Sequence, residues 1–203
     1  MAKRIEQFDE MILSCARKEF LDKGYELASL RTIAKEANVS TSTIYTRYKD
    51  KEGLFKALVS PAAEMLVNYV KEYLFSFTSL DAMDQKENRE VYSLRGYHGF
   101  MDILYDHFDE FQLMVTSSTN GLYRYYLEQI VDVNTECTLE FFKATNNRAY
   151  LEGRLTKEFI HLISSSFYAG IFEIVVHQMN RKEAQTCVSE LFLFYSNGWK
   201  SYL

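Results

Sequence analysis

Apolar positions recur at helical spacing along almost the whole chain, and no stretch alternates in the manner of a half-buried strand. Ile5, Phe8, Ile12, Cys15 or Ala16, and Phe20 predict an amphipathic helix over 5–23, ended by Gly24. Ser29 stands where a cap opens a second helix, with Leu30, Ile33, Ala34 and Ala37 as its apolar stripe. Asn38-Val39-Ser40 reads as a tight turn. Asn38 tolerates the left-handed backbone, Val39 plugs the gap between helices, and Ser40 accepts from the free amides of a third helix beginning at Thr41. Asp50 caps a fourth helix carrying Leu54, Phe55 and Leu58. Pro61, which has no N–H, predicts either a kink there or a new helix capped by Ser60. A bend at that point is a joint for signalling or a purely structural kink.

Beyond Met65, Leu66, Tyr69, Val70, Tyr73 and Leu74 the pattern fades, and the polar run 78–90 reads as a loop with a frayed helical start. Helical spacing returns over Val91–His107, in a short segment Phe111–Val115, and over Leu122–Ala144, with breaks at 116–121 and 146–154. The last two helices, about Thr156–Met179 and Arg181–Tyr202, are the most apolar. Apolar groups lie on more than one side of each, as expected where helices pack on their own core and against a partner. One Pro in 203 residues agrees with an all-α chain. Its expected organisation is an N-terminal three-helix helix-turn-helix domain, 1–50, and a larger C-terminal helical domain, 51–203.

The third helix divides its surface unusually. Ile44 and Tyr48, four apart, face inward, while Thr41, Ser42, Thr43, Tyr45, Thr46 and Arg47 fill the remainder with hydroxyls and one cation. Such a surface has little reason to be buried, and it suits a DNA major groove. Charge refines the picture. The net charge of −5 is unlike a generic nucleic-acid binder, but it is unevenly spread: eleven Lys and Arg stand against nine Asp and Glu through residue 60, and twelve against nineteen beyond it. A mildly basic head on an acidic body fits a reader attached to a regulatory part. Lys3 and Arg4 form a short basic arm that touches phosphate or simply stays solvated.

Gly24-Tyr25, Ser29, Ile33-Ala34, Val39-Ser40, Tyr45, Tyr48 and Lys51, followed by Leu54-Phe55, resemble the DNA-binding domain of the tetracycline-repressor (TetR) family over about residues 5–58. The chain departs from the family pattern at Asn38 and Ser42, usually Gly, and at Gly53, usually acidic. The resemblance implies an all-α homodimer that binds a palindromic double-stranded operator, with Tyr45 and Lys51 at phosphate-contacting positions. Ser29, Arg31, Ser40, Thr43 and Arg47 complete the expected DNA-binding set, and Thr41, Ser42 and Thr46 are expected to read bases. The resemblance also implies that the last two helices form the dimer interface, with Gly170 and Gly198 allowing close approach. A small effector is expected in an aromatic pocket of the C-terminal domain. By position its lining would be Tyr97, His98, Met101, Tyr105, Met114, Tyr126, Phe141, Phe167, Tyr168 and Phe172. An acidic, aromatic body suits an apolar, aromatic or cationic compound.

No hydrolase, zinc-protease, phosphate-loop or paired-Cys motif occurs, so neither catalysis nor a cofactor is expected. His98 and Asp102, four apart, read as a satisfied buried imidazole rather than a metal site. Cys15, Cys137 and Cys187 read as buried thiols of a reducing compartment. The lack of a secretory signal or an apolar run of about 18 residues points to a cytoplasmic chain with no membrane partner. The rival reading is a dimeric protein-interaction bundle whose helix-turn-helix does not read DNA. An all-helical enzyme would need convergent titratable groups that the sequence does not offer.

Overall fold

The computed structural model describes residues 2–117 and 121–202, with side chains from Phe8 onward. The side chains of Lys3, Arg4 and Ile5, and residues 118–120 of the break expected at 116–121, therefore fall outside what is described. Among the described residues there are ten helices and no strand: α1 Ala2–Leu27, α2 Leu30–Glu36, α3 Thr41–Tyr48, α4 Lys51–Thr78, α5 Ala82–Asp106, α6 Phe108–Thr116, α7 Leu122–Ala144, α8 Arg148–Leu151, α9 Lys157–Val176 and α10 Arg181–Lys200. They form two compact units, Met1–Glu64 with His107–Leu122 and Met65–Asp106 with Tyr123–Leu203.

In the first unit, the head, α1 buries Ile12, Ala16 and Phe20 and packs against α2 and α6. Gly24 interrupts α1 at φ 71°, a backbone that L side chains rarely adopt. The reversal brings Tyr25 against Phe20 and Phe55, with ring centroids 6.0 and 5.0 Å away. Arg17 of α1 forms an ion pair with Glu110 of α6. Helix α4 continues through Pro61, so Ser60 does not cap a new helix; Pro61 contributes no N–H to the helical ladder.

In the second unit, the body, α10 packs on α9 and α5. Gly96 and Gly99 on α5 make room for two rings of α4, because a Cβ at either would run into Tyr73 or Tyr69. The Tyr69 hydroxyl donates to the Gly96 carbonyl at 3.1 Å and that of Tyr73 to the Tyr92 carbonyl at 2.7 Å. A further cluster joins Phe141, Phe142, Ala149, Leu155 and Ile160, with Phe77, Trp199 and Tyr202 packed against it.

Four expectations need correction. Residues 82–90 are helix, not loop. The Asp81 carboxylate accepts from the amides of Met83 and Asp84, each at 2.9 Å, and the buried Gln85 amide donates to the carbonyls of Thr78 and Leu80. A polar run of Gln, Lys, Glu and Arg is a good helix former once capped. The break at 146–154 contains the single turn α8, capped by Asn147. Of the three thiols, only Cys137 is buried, while Cys15 is half-buried and Cys187 exposed; a helical position does not by itself say which way a side chain faces. Finally, α9 is long and apolar enough to cross a bilayer by length and composition. Eight of its residues are nevertheless buried in the body, and its Ser164 accepts a hydrogen bond from Asn134 at 2.8 Å, as in a core helix.

Two outcomes follow. Asp81→Ala should lower stability in urea by about 1 kcal/mol and speed amide exchange in the first turn of α5; unchanged exchange there would remove the cap. Burial, then Glu140 and Glu136, push the Cys137 thiol up to about 11, so it stays protonated near neutral pH. Iodoacetamide at pH 8, followed by peptide mass spectrometry, should therefore label Cys187 first and Cys137 last.

Candidate nucleic-acid interface and body cavity

Caps and one apolar anchor hold the helix-turn-helix. The Ser29 hydroxyl accepts from the Thr32 amide at 3.5 Å, and the Ser29 amide donates to the buried Glu19 carboxylate at 3.0 Å. Asn38 adopts φ 52°, the left-handed conformation expected of it, and Val39 is half-buried. The Ser40 hydroxyl accepts from the Thr43 amide at 3.1 Å. On α3 only Ile44 is buried, at 0% exposure, while Tyr45 is 53% exposed and Ser42, Thr46 and Arg47 are exposed. Thr41, Thr43 and Tyr48 are half-buried. The hydroxyl-rich surface thus faces solvent.

Several of these groups have partners inside the protein that the sequence did not reveal. Thr43 shares a 2.8 Å hydrogen bond with the Ser40 hydroxyl, and Thr46 donates to the Ser42 carbonyl at 2.8 Å. Arg47 pairs with Asp9 of α1, which also accepts from the Tyr48 hydroxyl at 3.1 Å. Burial and then that carboxylate push the Tyr48 phenol up to about 12. Lys51 donates to the Glu26 carbonyl at 2.9 Å and stands over the Tyr25 ring, 4.9 Å from its centroid. It braces the loop that carries Ser29. Arg31 is exposed and makes no ion pair among the described residues. At Gly53, a Cβ would run into the Tyr48 carbonyl oxygen, so the turn between α3 and α4 requires this glycine; the Asp50 carboxylate caps its amide at 2.7 Å.

The body contains a cavity of about 160 Å³. Of the ten residues expected to line a pocket, Tyr97, Phe141 and Phe167 do so. Met101, Tyr126, Tyr168 and Phe172 are buried elsewhere in the body, and His98 is exposed. Tyr105 donates its hydroxyl to the Met179 carbonyl at 2.8 Å, and Met114 belongs to the head. The remaining walls include Tyr73, Phe77, Arg89, Tyr92, Asn134 and Trp199. Phe77 and Trp199 both flank the Phe141–Phe142 cluster. Reading 78–90 as loop hid Arg89. The tyrosines at 69, 73 and 92 with glycines at 96 and 99 were the available signal that α4 and α5 approach closely. His98, expected to be a buried imidazole, is instead exposed, since it lies on the side of its helix turned to solvent. Asp102 pairs with Arg181, and among the described residues no three His, Cys, Asp or Glu are grouped to hold a metal ion.

Two short capped helices joined through a left-handed Asn, the second presenting hydroxyls to solvent, define a helix-turn-helix protein with an all-helical body. Residues 12–58 match the family of bacterial regulatory proteins, tetR family. Over 52 residues it is 40% identical to the uncharacterized HTH-type transcriptional regulator YvkB of Bacillus subtilis (strain 168), a match spanning 26% of this chain and only 28% of that protein. The whole fold is similar to that of a putative TetR-family transcriptional regulator from Mesorhizobium loti MAFF303099. The TM-score is 0.60 at 16% identity, over 94% of this chain and 95% of that one. It is also similar to that of a TetR-family member from Streptomyces coelicolor A3, with a TM-score of 0.54 at 21% identity, over 89% and 87% of the two chains. These structures extend the likeness of fold to the body.

Asp9→Asn should keep an acceptor for Tyr48 while releasing Arg47. Binding to non-specific duplex should then tighten, and the slope of log affinity against log salt should steepen by about one phosphate contact, ~0.9. An unchanged slope would mean that Arg47 is not within reach of phosphate.

Proposed function

We propose that the chain is a homodimeric transcriptional regulator, a repressor released by a small effector bound in the body cavity. The observation that carries the reading is the exposed, capped α3 with its row of hydroxyls and Arg47 at the rim. Two such helices would enter successive major grooves about 34–36 Å apart on one face of a palindromic operator. In this reading Thr41, Ser42 and Thr46 read bases, while Ser29, Arg31, Ser40, Thr43, Tyr45 and Arg47 fix register on the phosphates. Lys51, already bonded to two carbonyls, contributes mainly by holding the Ser29 loop in place.

Support for the dimer comes from apolar groups left uncovered on the last two helices. Leu162 and Val176 lie along one side of α9 by helical spacing, and Phe194 of α10 is 74% exposed. A second copy would cover them, as the family resemblance implies. Effector binding in the aromatic cavity would shift the population of reader arrangements away from the DNA-competent one. In this reading the protein acts on DNA in the cytoplasm, and no catalytic step is assigned to it.

The decisive measurement is sequencing of DNA selected from a random pool by the purified protein. The expected result is an inverted repeat with half-sites one helical turn apart. Ser42→Ala should alter base preference within the half-site, whereas Lys51→Ala should weaken every sequence alike. Recovery of no enriched sequence, with binding equally intact after charge reversal at Arg31 and Arg47, would favour the protein-interaction reading instead.

A further inference from the structure

The net charge of the body points to a cationic effector, but the charges that line its cavity do not. The inner space of about 160 Å³ is walled largely by aromatic rings, among them Phe77, Tyr92, Phe167 and Trp199. It adjoins an outer space of about 320 Å³, and the two share Arg89 and Phe141 as walls. Lys86, Arg89 and Arg148 line the outer space with Asn146, and no Asp or Glu is among its walls. Ligand sites generally span roughly 300–1,000 Å³, a range the inner space does not reach alone but reaches together with the outer one.

Arg89 occupies the junction. Its side chain is 23% exposed, and the nearest carboxylate oxygen, on Glu90 of the same helix, is 3.8 Å away, beyond hydrogen-bond distance. Glu90 also borders the inner space, but its carboxylate lies 3.2 Å from the Lys200 ammonium. Arg148 has Glu152 at 2.7 Å and is otherwise open to solvent. Lys86 makes no ion pair among the described residues. Burial holds the Arg89 guanidinium below its usual range, yet guanidinium stays charged in proteins, so a largely desolvated cation stands at an aromatic cavity with only a loose ion pair to Glu90, a carboxylate it shares with Lys200.

We infer that the site takes an amphipathic organic anion, its apolar part among the rings of the inner space and its carboxylate or phosphate at Arg89, with Lys86 adding positive charge beside it. Carboxylate and phosphate are the groups that a guanidinium fork binds in bidentate fashion. The inference rests on the effector reading above and names the chemical class of that effector.

Trp199, the only tryptophan, lines the inner space and reports on its occupancy. Full-length protein should be titrated, below critical micelle concentrations, with octanoate, octyl phosphate, octanol and octyltrimethylammonium while Trp199 fluorescence is followed. Saturable changes are expected with the first two, at least tenfold tighter than with the neutral and cationic compounds. Whichever anion binds tighter identifies the head group. Arg89→Gln should reduce anion affinity at least tenfold and leave octanol unaffected, and Arg89→Lys should keep most of it. Thermal unfolding of each variant separates loss of binding from loss of fold. Equal binding of octanol and octanoate, tighter binding of the cation, or full anion affinity in a folded Arg89→Gln protein would overturn the charge assignment while leaving the cavity as a ligand site. Failure of all four compounds, whatever their charge, to perturb Trp199 would instead remove the effector reading itself.

Discussion

An eight-residue helix does not stand alone in water, where roughly 12–15 residues are marginal even for good helix formers. Helix α3 exists because Ile44 is driven into the head and because Ser40 satisfies an amide at its start. That single apolar anchor is also what leaves the helix useful. A second fully buried side chain would turn another side of α3 inward and withdraw hydroxyls from solvent. With one anchor and a left-handed Asn38 fixing the approach, the remaining surface is displayed but not consumed. Its rigidity comes from elsewhere, from Phe20, Tyr25 and Phe55 packed behind it and from Asp9 holding both Arg47 and Tyr48.

The ion pairs of the head are arranged so that exchange is cheap. An exposed pair such as Arg47–Asp9 is worth about 0–1 kcal/mol, so phosphate can replace the carboxylate with little loss. Lys51 is different, since its ammonium donates to two backbone carbonyls and also sits over the Tyr25 ring. Moving it to phosphate would loosen the loop that positions Ser29. Of two cations only four residues apart, one is held by an exchangeable surface carboxylate and the other by the backbone it supports.

What was legible in the sequence was local. Ser29, Asn38, Ser40 and Asp50 could be assigned because a cap or a left-handed turn depends on a few adjacent residues. The exposure of α3 could be read because its hydroxyls had no apolar neighbours at helical spacing. The first turns of α5 were missed because hydrophobic periodicity is silent where a helix is polar on all sides, although Asp81 stood in the capping position. The cavity was mostly illegible. Met101, Tyr126, Tyr168 and Phe172 have the same residue types and spacing as Tyr97, Phe141 and Phe167, and only the packing of distant helices decides which rings meet core and which meet space. The placing of α6 with the head, sealed by Arg17 and Glu110, is likewise a long-range choice that no window of sequence encodes.

The same distinction governs electrostatics in the body. Net charge is a property of the surface as a whole and is screened within about 8–10 Å at ordinary salt, whereas a ligand inside a low-dielectric cavity responds to the few charges at its walls. Acidic groups such as Glu128, Glu136 and Glu152 are paired with Arg or Lys at the surface. Arg89, on a polar helix turn held by Asp81 and Gln85, is carried inward beside Tyr92 to border the rings. A largely desolvated guanidinium with only a loose ion pair raises the energy of the empty site, and an anion that satisfied it would be bound partly by relieving that cost. An acidic protein can therefore select an anion, provided the sum of its charges and the charges facing the cavity have opposite signs.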